Sequence, residues 1–421
     1  MKHLKAITLI IVAALAAVTS ALAAEKPLKV YILVGQSNMQ GHANESVIPA
    51  MAKDPATRHL YDLMMDETGK ARVSKDISIA AFSGGKNGVV EKHGFLTLGY
   101  GAGLQADTVF GPEWAFGLTM RQHLQEPFLI IKTSWGGKDL RCDFRPPSAG
   151  PFDFSEEQLD SLVKRGKGTR EGLVAARKEA TGHYYRLMAK HVKDVLADPG
   201  KYCPAYDPKQ GYEIAGFVWF QGFNDMIAKE DPLYAATKDK PQFAAYSDLL
   251  AHFIRDVRKE FNAPAMPFVI GVIGTGGNPD AKHPFRDAMA APAAMAEFKG
   301  NVFAVHTATY FDARLGEIID RSWRWMRPDY DPEKKYVELA EKLKPLVLEQ
   351  NEAKKITDKA ERQKKEAEIK TRMDEIIYTP EDKAYLAENR SNRGYHYDGS
   401  AKNYARFGEA FAKALIEGTN Q

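Results

Sequence analysis

Ser37 lies in Gly35-Gln36-Ser37-Asn38-Met39, just beyond an apolar run, where a hydroxyl can be presented as a nucleophile. A serine hydroxyl is weak in that role. It needs a base to take its proton and donors for the oxyanion that forms on attack. The base is ordinarily a histidine steadied by a third group. His396 offers one, in Arg393-Gly394-Tyr395-His396-Tyr397-Asp398-Gly399-Ser400, on a loop entering the last helical pattern. Donors come from two further segments. In Lys132-Thr133-Ser134-Trp135-Gly136-Gly137-Lys138 the two glycines allow close backbone approach and leave N–H groups facing a cleft. In Trp219-Phe220-Gln221-Gly222-Phe223-Asn224-Asp225, Gln221 is a neutral amide suited to an oxyanion or a substrate carbonyl. Alone, a strand-end serine is often only a turn or helix cap, so the reading of Ser37 rests on these companions.

Something must carry these segments to one place. Five apolar runs read as buried strands: Leu28–Val34, Pro127–Thr133, Ile214–Phe220, Pro267–Ile273 and Val302–Ala308. Helical patterns lie between or after them at Glu113–Leu124, Arg170–Leu196, Phe243–Glu260, Arg286–Phe298 and Ala401–Ile416. The alternation predicts an α/β fold of three layers, with a five-stranded parallel sheet covered on both faces. Right-handed crossovers put the loop-bearing strand ends on one edge, and ligand sites lie outside that edge. From about Leu315 to Arg390 the composition changes: Lys, Glu and Arg crowd the chain and Gly almost disappears. Ile369, Met373 and Ile376 give a narrow apolar stripe. Glu361 with Lys365, Glu366 with Lys370 and Glu368 with Arg372 form favourable i,i+4 pairs, and Pro345 should kink or break the first helix. This predicts a charged helical insertion over 315–390 within a main domain of 24–314 and 391–421. The insertion is either a solvated hairpin packed on the body or an arm for a partner.

Residues 1–23 read as a signal peptide: basic Lys2, His3 and Lys5, an apolar Ala6–Val18, and small-x-small Ala21-Leu22-Ala23 before a start near Ala24. The expectation is a secreted or periplasmic protein with no membrane span. The formal charge of +3 falls to +1 without Lys2 and Lys5, which gives no reason for a nucleic-acid partner. Cys142 and Cys203, the only two cysteines, leave a disulfide open. No metal-ligand spacing is present, and no metal or other cofactor is expected. Oligomeric state is not legible.

With these motifs in view, the chain resembles the SGNH/GDSL hydrolases, in the form of the sialate O-acetylesterase-like carbohydrate esterases. Gly35-Gln36-Ser37-Asn38-Met39 resembles their first block. Gly111-Pro112-Glu113-Trp114-Ala115-Phe116-Gly117 resembles the second. Gln221-Gly222-x-x-Asp225 resembles the third, where these esterases carry Gln in place of Asn. Lys132 to Lys138 resembles the strand end and glycine pair between the second and third blocks. The resemblance runs from about Lys29 to Val305 and resumes from Tyr395 to Leu415. It implies a flavodoxin-like three-layer fold and removal of acetyl groups from an acetylated carbohydrate. Ser37 is then the nucleophile and His396 the base, with the Ser37 N–H, Gly111 and Gln221 as the oxyanion hole. Gln36, Asn38, Trp135, Gly136, Gly137, Arg145 and Asp225 are expected on the substrate side.

One departure matters. The family usually carries Asp-x-x-His in its last block, and here Arg393 stands where the acid belongs. Either Ser37 and His396 act as a dyad, or Asp398 or Asp225 orients the imidazole, or the chain is a catalytically impaired carbohydrate-binding protein on the same fold. Trp135, Trp219 and Phe223 either stack on sugars or pack beneath the loops. Arg141 and Arg145 either hold a substrate carboxylate or pair with Asp139 or Asp143. Among the other histidines, His42 reads as a turn or surface residue, His283 as a rim residue and His306 as a core histidine.

Overall fold

β1 (Leu28–Gly35) is buried along almost its whole length and lies at the centre of a seven-stranded sheet. In the computed structural model, which describes residues 26–85, 88–104, 106–277, 283–326 and 334–419, the expected signal segment lies outside the described residues. The other strands are β2 (Ser74–Gly85), β3 (Gly88–Leu96), β4 (Phe128–Ser134), β5 (Tyr212–Phe220), β6 (Phe268–Val272) and β7 (Val302–His306), in the order β3-β2-β4-β1-β5-β6-β7. Six run parallel and β3 returns antiparallel to β2. The expected five-stranded sheet is thus corrected to seven. The five apolar runs are the parallel strands β1, β4, β5, β6 and β7, and the unforeseen β2–β3 hairpin forms one edge.

Layering follows from strand alternation. On β5, Trp219 packs against Phe253 of a helix on one face, and its neighbour Phe220 meets Phe411 of a helix on the other. The helices that bear on the site are α1 (Ser37–Gln40), α2 (Pro112–His123), α3 (His183–Ala197), α4 (Phe223–Ile227), α5 (Ala244–Glu260), α6 (Pro284–Ala290), α7 (Ala313–Arg324), α8 (Val337–Ala353), α9 (Lys359–Ile377), α10 (Pro380–Asn389) and α11 (Ala401–Thr419). Phe253 belongs to α5 and Phe411 to α11, which packs along α2. Gly408 makes that approach possible, because a Cβ there would stand 2.2 Å from the Pro112 carbonyl oxygen. The expected helix over 170–196 is divided at Gly182, whose left-handed φ of 69° starts α3 and lets its N–H reach the Cys142 carbonyl at 2.7 Å.

The charged segment forms helices α7 to α10. α8 runs unbroken through Pro345, against expectation. The ring removes one helical donor, and the remaining bonds and the packing against α9 carry the helix past it. The buried stripe on α9 is Ile369, Met373 and Ile377, while Ile376 is 40% exposed, so the inward face lies one residue from the expected one. The anticipated pairs within α9 are replaced. Lys365 and Arg372 both reach across to Glu349 on α8, at 2.9 and 2.7 Å, and Lys370 pairs with Asp374. Cys142 and Cys203 are separate buried thiols. No helix among the described residues is long and apolar enough to cross a membrane.

Candidate active site

The carboxyl ends of β4, β1 and β5 are level. Gly35 is in register with Ser134 on one side and Phe220 on the other. The loops carrying Ser37, Gly136 and Gln221 therefore emerge side by side, where successive strands go to opposite sides of β1, the switch point of such a sheet. Gly35 is required there, since a Cβ would meet the Phe220 carbonyl oxygen at 2.1 Å. Ser37 opens α1 and is partly exposed, while Gln36 and Asn38 beside it are buried.

His396 arrives from the far end of the chain. Its loop is anchored by Tyr397, a fully buried residue whose hydroxyl accepts from the Gly274 N–H just past β6 and hydrogen-bonds Thr307 past β7, both at 2.8 Å. Tyr397 and Asp398 both adopt left-handed φ, 50° and 58°, a conformation uncommon outside glycine. The result brings His396 onto a cleft of about 370 Å³ lined by Ser37, Gln40, His42, Gly136, Gly137, Phe223, Asn224, Ile227, Tyr395 and His396. Ser37 Oγ and the His396 ring share this cleft with no direct hydrogen bond between them. A larger cavity of about 560 Å³ lies at the opposite sheet edge, at the start of β5. Its one ionisable lining carboxylate, Glu213, is paired with Lys29, and it offers no nucleophile–base set.

The group holding His396 is neither aspartate considered. His396 Nδ1 lies 3.0 Å from Asn392 Oδ1. That oxygen also accepts from the Arg393 N–H at 2.8 Å, which fixes the amide orientation. Nδ1 must then carry the hydrogen, and Nε2 keeps its lone pair. Asp398 instead faces Arg390 at 3.0 Å, and burial pushes its carboxyl up to about 6. Asp225 is buried beneath the loops and accepts from the Leu140 and Arg141 N–H groups, Gln221 and the Tyr234 hydroxyl. Burial, with Asp139 nearby, pushes its carboxyl up. It touches neither His396 nor the cleft, so its expected roles as alternative orienter and substrate contact give way to a structural one. Burial and the adjacent Arg393 hold the His396 ring down at about 4.

The side-chain and backbone donors expected to form an oxyanion hole at Gln221 and Gly111 are already occupied. Both N–H groups of Gln221 are committed, to the Lys138 carbonyl at 2.9 Å and Asp225 at 2.6 Å, while its oxygen accepts from Tyr246. The Gly111 N–H donates to Glu113 Oε1 at 2.9 Å. Neither residue lines the cleft. Gly111 is needed for close packing, since a Cβ there would stand 2.8 Å from the Gln40 carbonyl oxygen and from Gly41 Cα. By contrast, the N–H groups of Ser37, Gly136 and Gly137 make no hydrogen bond among the described residues. A Cβ on Gly136 would stand 3.7 Å from Ser37 Cβ, so its backbone passes directly beside the serine.

The chain matches the family described as carbohydrate esterase, sialic acid-specific acetylesterase, over residues 27–312. It belongs to that family. The matched stretch holds Ser37, the glycine pair and Gln221, and ends before the loop of Asn392 and His396. Among solved structures, a protein from Arabidopsis thaliana shares 17% identity over 67% of this chain and 86% of its own, with a TM-score of 0.35. A carbohydrate acetylesterase from Xanthomonas citri shares 13% identity over 70% of this chain and 55% of its own, with a TM-score of 0.34. No curated protein matches.

The remaining expected contacts of this carbohydrate esterase divide by burial. Trp135 is only 3% exposed and packs against Phe144, Tyr184 and His191, and Trp219 is fully buried, so neither stacks on a substrate. Phe223 and Tyr395 do meet at the cleft mouth, with ring centroids 5.9 Å apart. Arg145 donates to the Gly150, Arg141 and Ala149 carbonyls, and Arg141 pairs with Asp139 and Asp231. Neither holds a cation toward the cleft. Gln36 and Asn38 lie buried behind the serine instead of lining the opening. His283 caps α6 by accepting from the Phe285 N–H, and His306 is exposed at the end of β7, not in the core. His42, expected at a turn or the surface, lines the cleft. Its ring lies flat on that of His396, with centroids 3.6 Å apart and planes 4° from parallel. An asparagine four residues before His396 and a histidine five after Ser37 were the available signals for Asn392 and His42.

Proposed function

We propose that this protein is an exported serine esterase that removes O-acetyl groups from a carbohydrate through an acetyl-enzyme. The observation that carries the reading is the convergence of Ser37, His396 and the uncommitted Gly136–Gly137 backbone on one cleft, in a chain of the carbohydrate esterase family. Ser37 Oγ attacks the acetyl carbonyl carbon while His396 Nε2 takes its proton. The oxyanion is received by the N–H groups of Ser37 and the glycine pair. His396 then returns the proton to the sugar oxygen as the C–O bond breaks. Water adds to the acetyl-enzyme with His396 again as base, releasing acetate and restoring Ser37. Asn392 fixes the tautomer that this sequence needs.

Among the described residues, no lysine, arginine, aspartate or glutamate lines the cleft, and Phe223, Tyr395 and the 59% exposed Ile227 form its outer wall. Such a wall suits the apolar face of a sugar ring. With Arg145 turned to its own loop, the preferred substrate is a neutral acetylated sugar. Export is supported by the basic–apolar–small order of residues 1–23.

Ser37→Ala tests the chemistry. Hydrolysis of p-nitrophenyl acetate and of an acetylated sugar should fall by about 10³-fold or more, and a fluorophosphonate should label wild type but not the variant. Full activity in Ser37→Ala overturns the reading. Wild-type protein that is folded yet resists labelling favours the non-catalytic carbohydrate binder.

A further inference from the structure

Two imidazoles stacked face to face in a cleft need a reason, since protonating both puts like charges in contact. Neither ring is placed there loosely. His42 sits between Gly41, packed on Gly111, and Ala43, which pairs in a short antiparallel ladder with Phe110. Ser391, on the same loop as His396, has its hydroxyl 3.3 Å from the His42 carbonyl and 2.7 Å from the Gly399 carbonyl, and it accepts from the Asn44 N–H at 3.1 Å. The nucleophile's helix and the base's loop are thus stapled together at His42. On its edge, among the described residues, His396 is held by Asn392.

We infer that His42 is a positioning residue whose ring, stacked on His396, holds the plane of the base and keeps water from one of its faces, while Asn392 holds the edge. The inference rests on the reading of His396 as the base. A carboxylate partner would steady the ring and compensate the charge it gains. Here a flat neutral neighbour supplies the steadying, and its π face receives the imidazolium that forms transiently. Other groups reach the pair: Arg393 and Tyr395 from the His396 loop, Lys132 from β4 acting on His42, and Tyr404 from α11, with its hydroxyl 3.3 Å from the His396 carbonyl. None of these is an acid that would draw a proton onto either ring. Burial, His396 and Lys132 hold His42 down at about 3, so it stays neutral while His396 works.

His42→Ala and His42→Phe separate positioning from simple packing. The alanine variant should lose about tenfold in kcat with KM within about twofold, as one weak transition-state interaction is removed. By NMR, the ring titration of His396 should move up from about 4 toward its ordinary range as water reaches the uncovered face. The phenylalanine variant restores a flat cover, so it should recover most of kcat and the low titration. The inference is overturned if His42→Ala, folded by near-UV circular dichroism, keeps both wild-type kcat and the wild-type titration of His396. It is overturned equally if His42→Phe is as impaired as His42→Ala. The NMR readout needs no turnover, so it decides the stack even if Ser37→Ala sinks the esterase reading.

Discussion

At the scale of the residue, the unusual element is an amide where an acid is customary. Asn392 fixes the His396 tautomer as well as a carboxylate does, but brings no charge to offset the imidazolium. Burial and Arg393 hold the His396 ring down at about 4. As the proposed base, His396 works only when neutral, so kcat/KM should be lost as pH falls through about 4, not through the ordinary histidine range near 6.5. Asn392→Ala removes one hydrogen bond and should cost about tenfold in kcat. Asn392→Asp places a negative charge against Nδ1, which favours the protonated ring. The acid limb of its pH–rate profile should rise by about one unit or more, so that the variant loses ground at pH 5 and gains at pH 8. An acid limb that stays where it was in Asn392→Asp rules out Asn392 as the partner that sets the ring.

At the scale of the element, one buried ion pair locks the strand end to the helix that carries Ser37. Lys132 Nζ, at the end of β4, donates to Glu113 at 2.6 Å, to the Gln40 carbonyl at 2.9 Å and to the Tyr100 carbonyl at 2.7 Å. Glu113 in turn holds the Gly111 N–H. Burial pushes Glu113 up and Lys132 down, and their mutual attraction opposes both shifts. Removing one partner strands the other, so Lys132→Met should destabilise the protein by about 3–5 kcal/mol in urea unfolding. Adding Glu113→Leu should recover part of that loss, and a double variant less stable than the single would refute the pairing. This lock also marks the limit of what the sequence discloses. Parallel strands such as β1 and β4 are buried on both faces and read as unbroken apolar runs. The β2–β3 hairpin escaped because β2 interrupts its run with serines and β3 is an edge strand with mostly exposed or half-exposed positions. That Ser37 and His396 lie at one cleft was legible from residue type and place. That the donors of Gly111 and Gln221 are already committed was not, because it depends on Glu113, Asp225 and Lys138, whose arrival beside them is a property of the fold.

At the scale of the whole molecule, the charged segment is less uniform than its composition. α7 and α10 are tied to the body. Leu315 and Ile319 enter the main core, and Tyr385 donates to Asp312 at 2.6 Å. Arg321 pairs with Asp382, and Lys402 of α11 meets Asp312. The α8–α9 hairpin instead has a small core of its own, built by Trp325, Tyr336, Leu343, Leu346, Ala353, Ile369, Met373 and Ile377. We propose that the insertion, as a unit of stability, is the hairpin over 337–377 and not the whole of 315–390. Such a small core stabilises less than the central one, and opening it exposes little else. Native-state hydrogen exchange in mild urea should then show the α8 and α9 amides opening together, at a lower free energy than those of β1 and β4. The hairpin contributes no residue to the cleft, and α10 stays pinned between it and the loop of Asn392 and His396. Esterase turnover should therefore persist at urea concentrations where the hairpin has opened. Exchange of α8, α9 and β1 at one common free energy, with activity lost in the same step, would show instead that the hairpin and the catalytic body are a single cooperative unit.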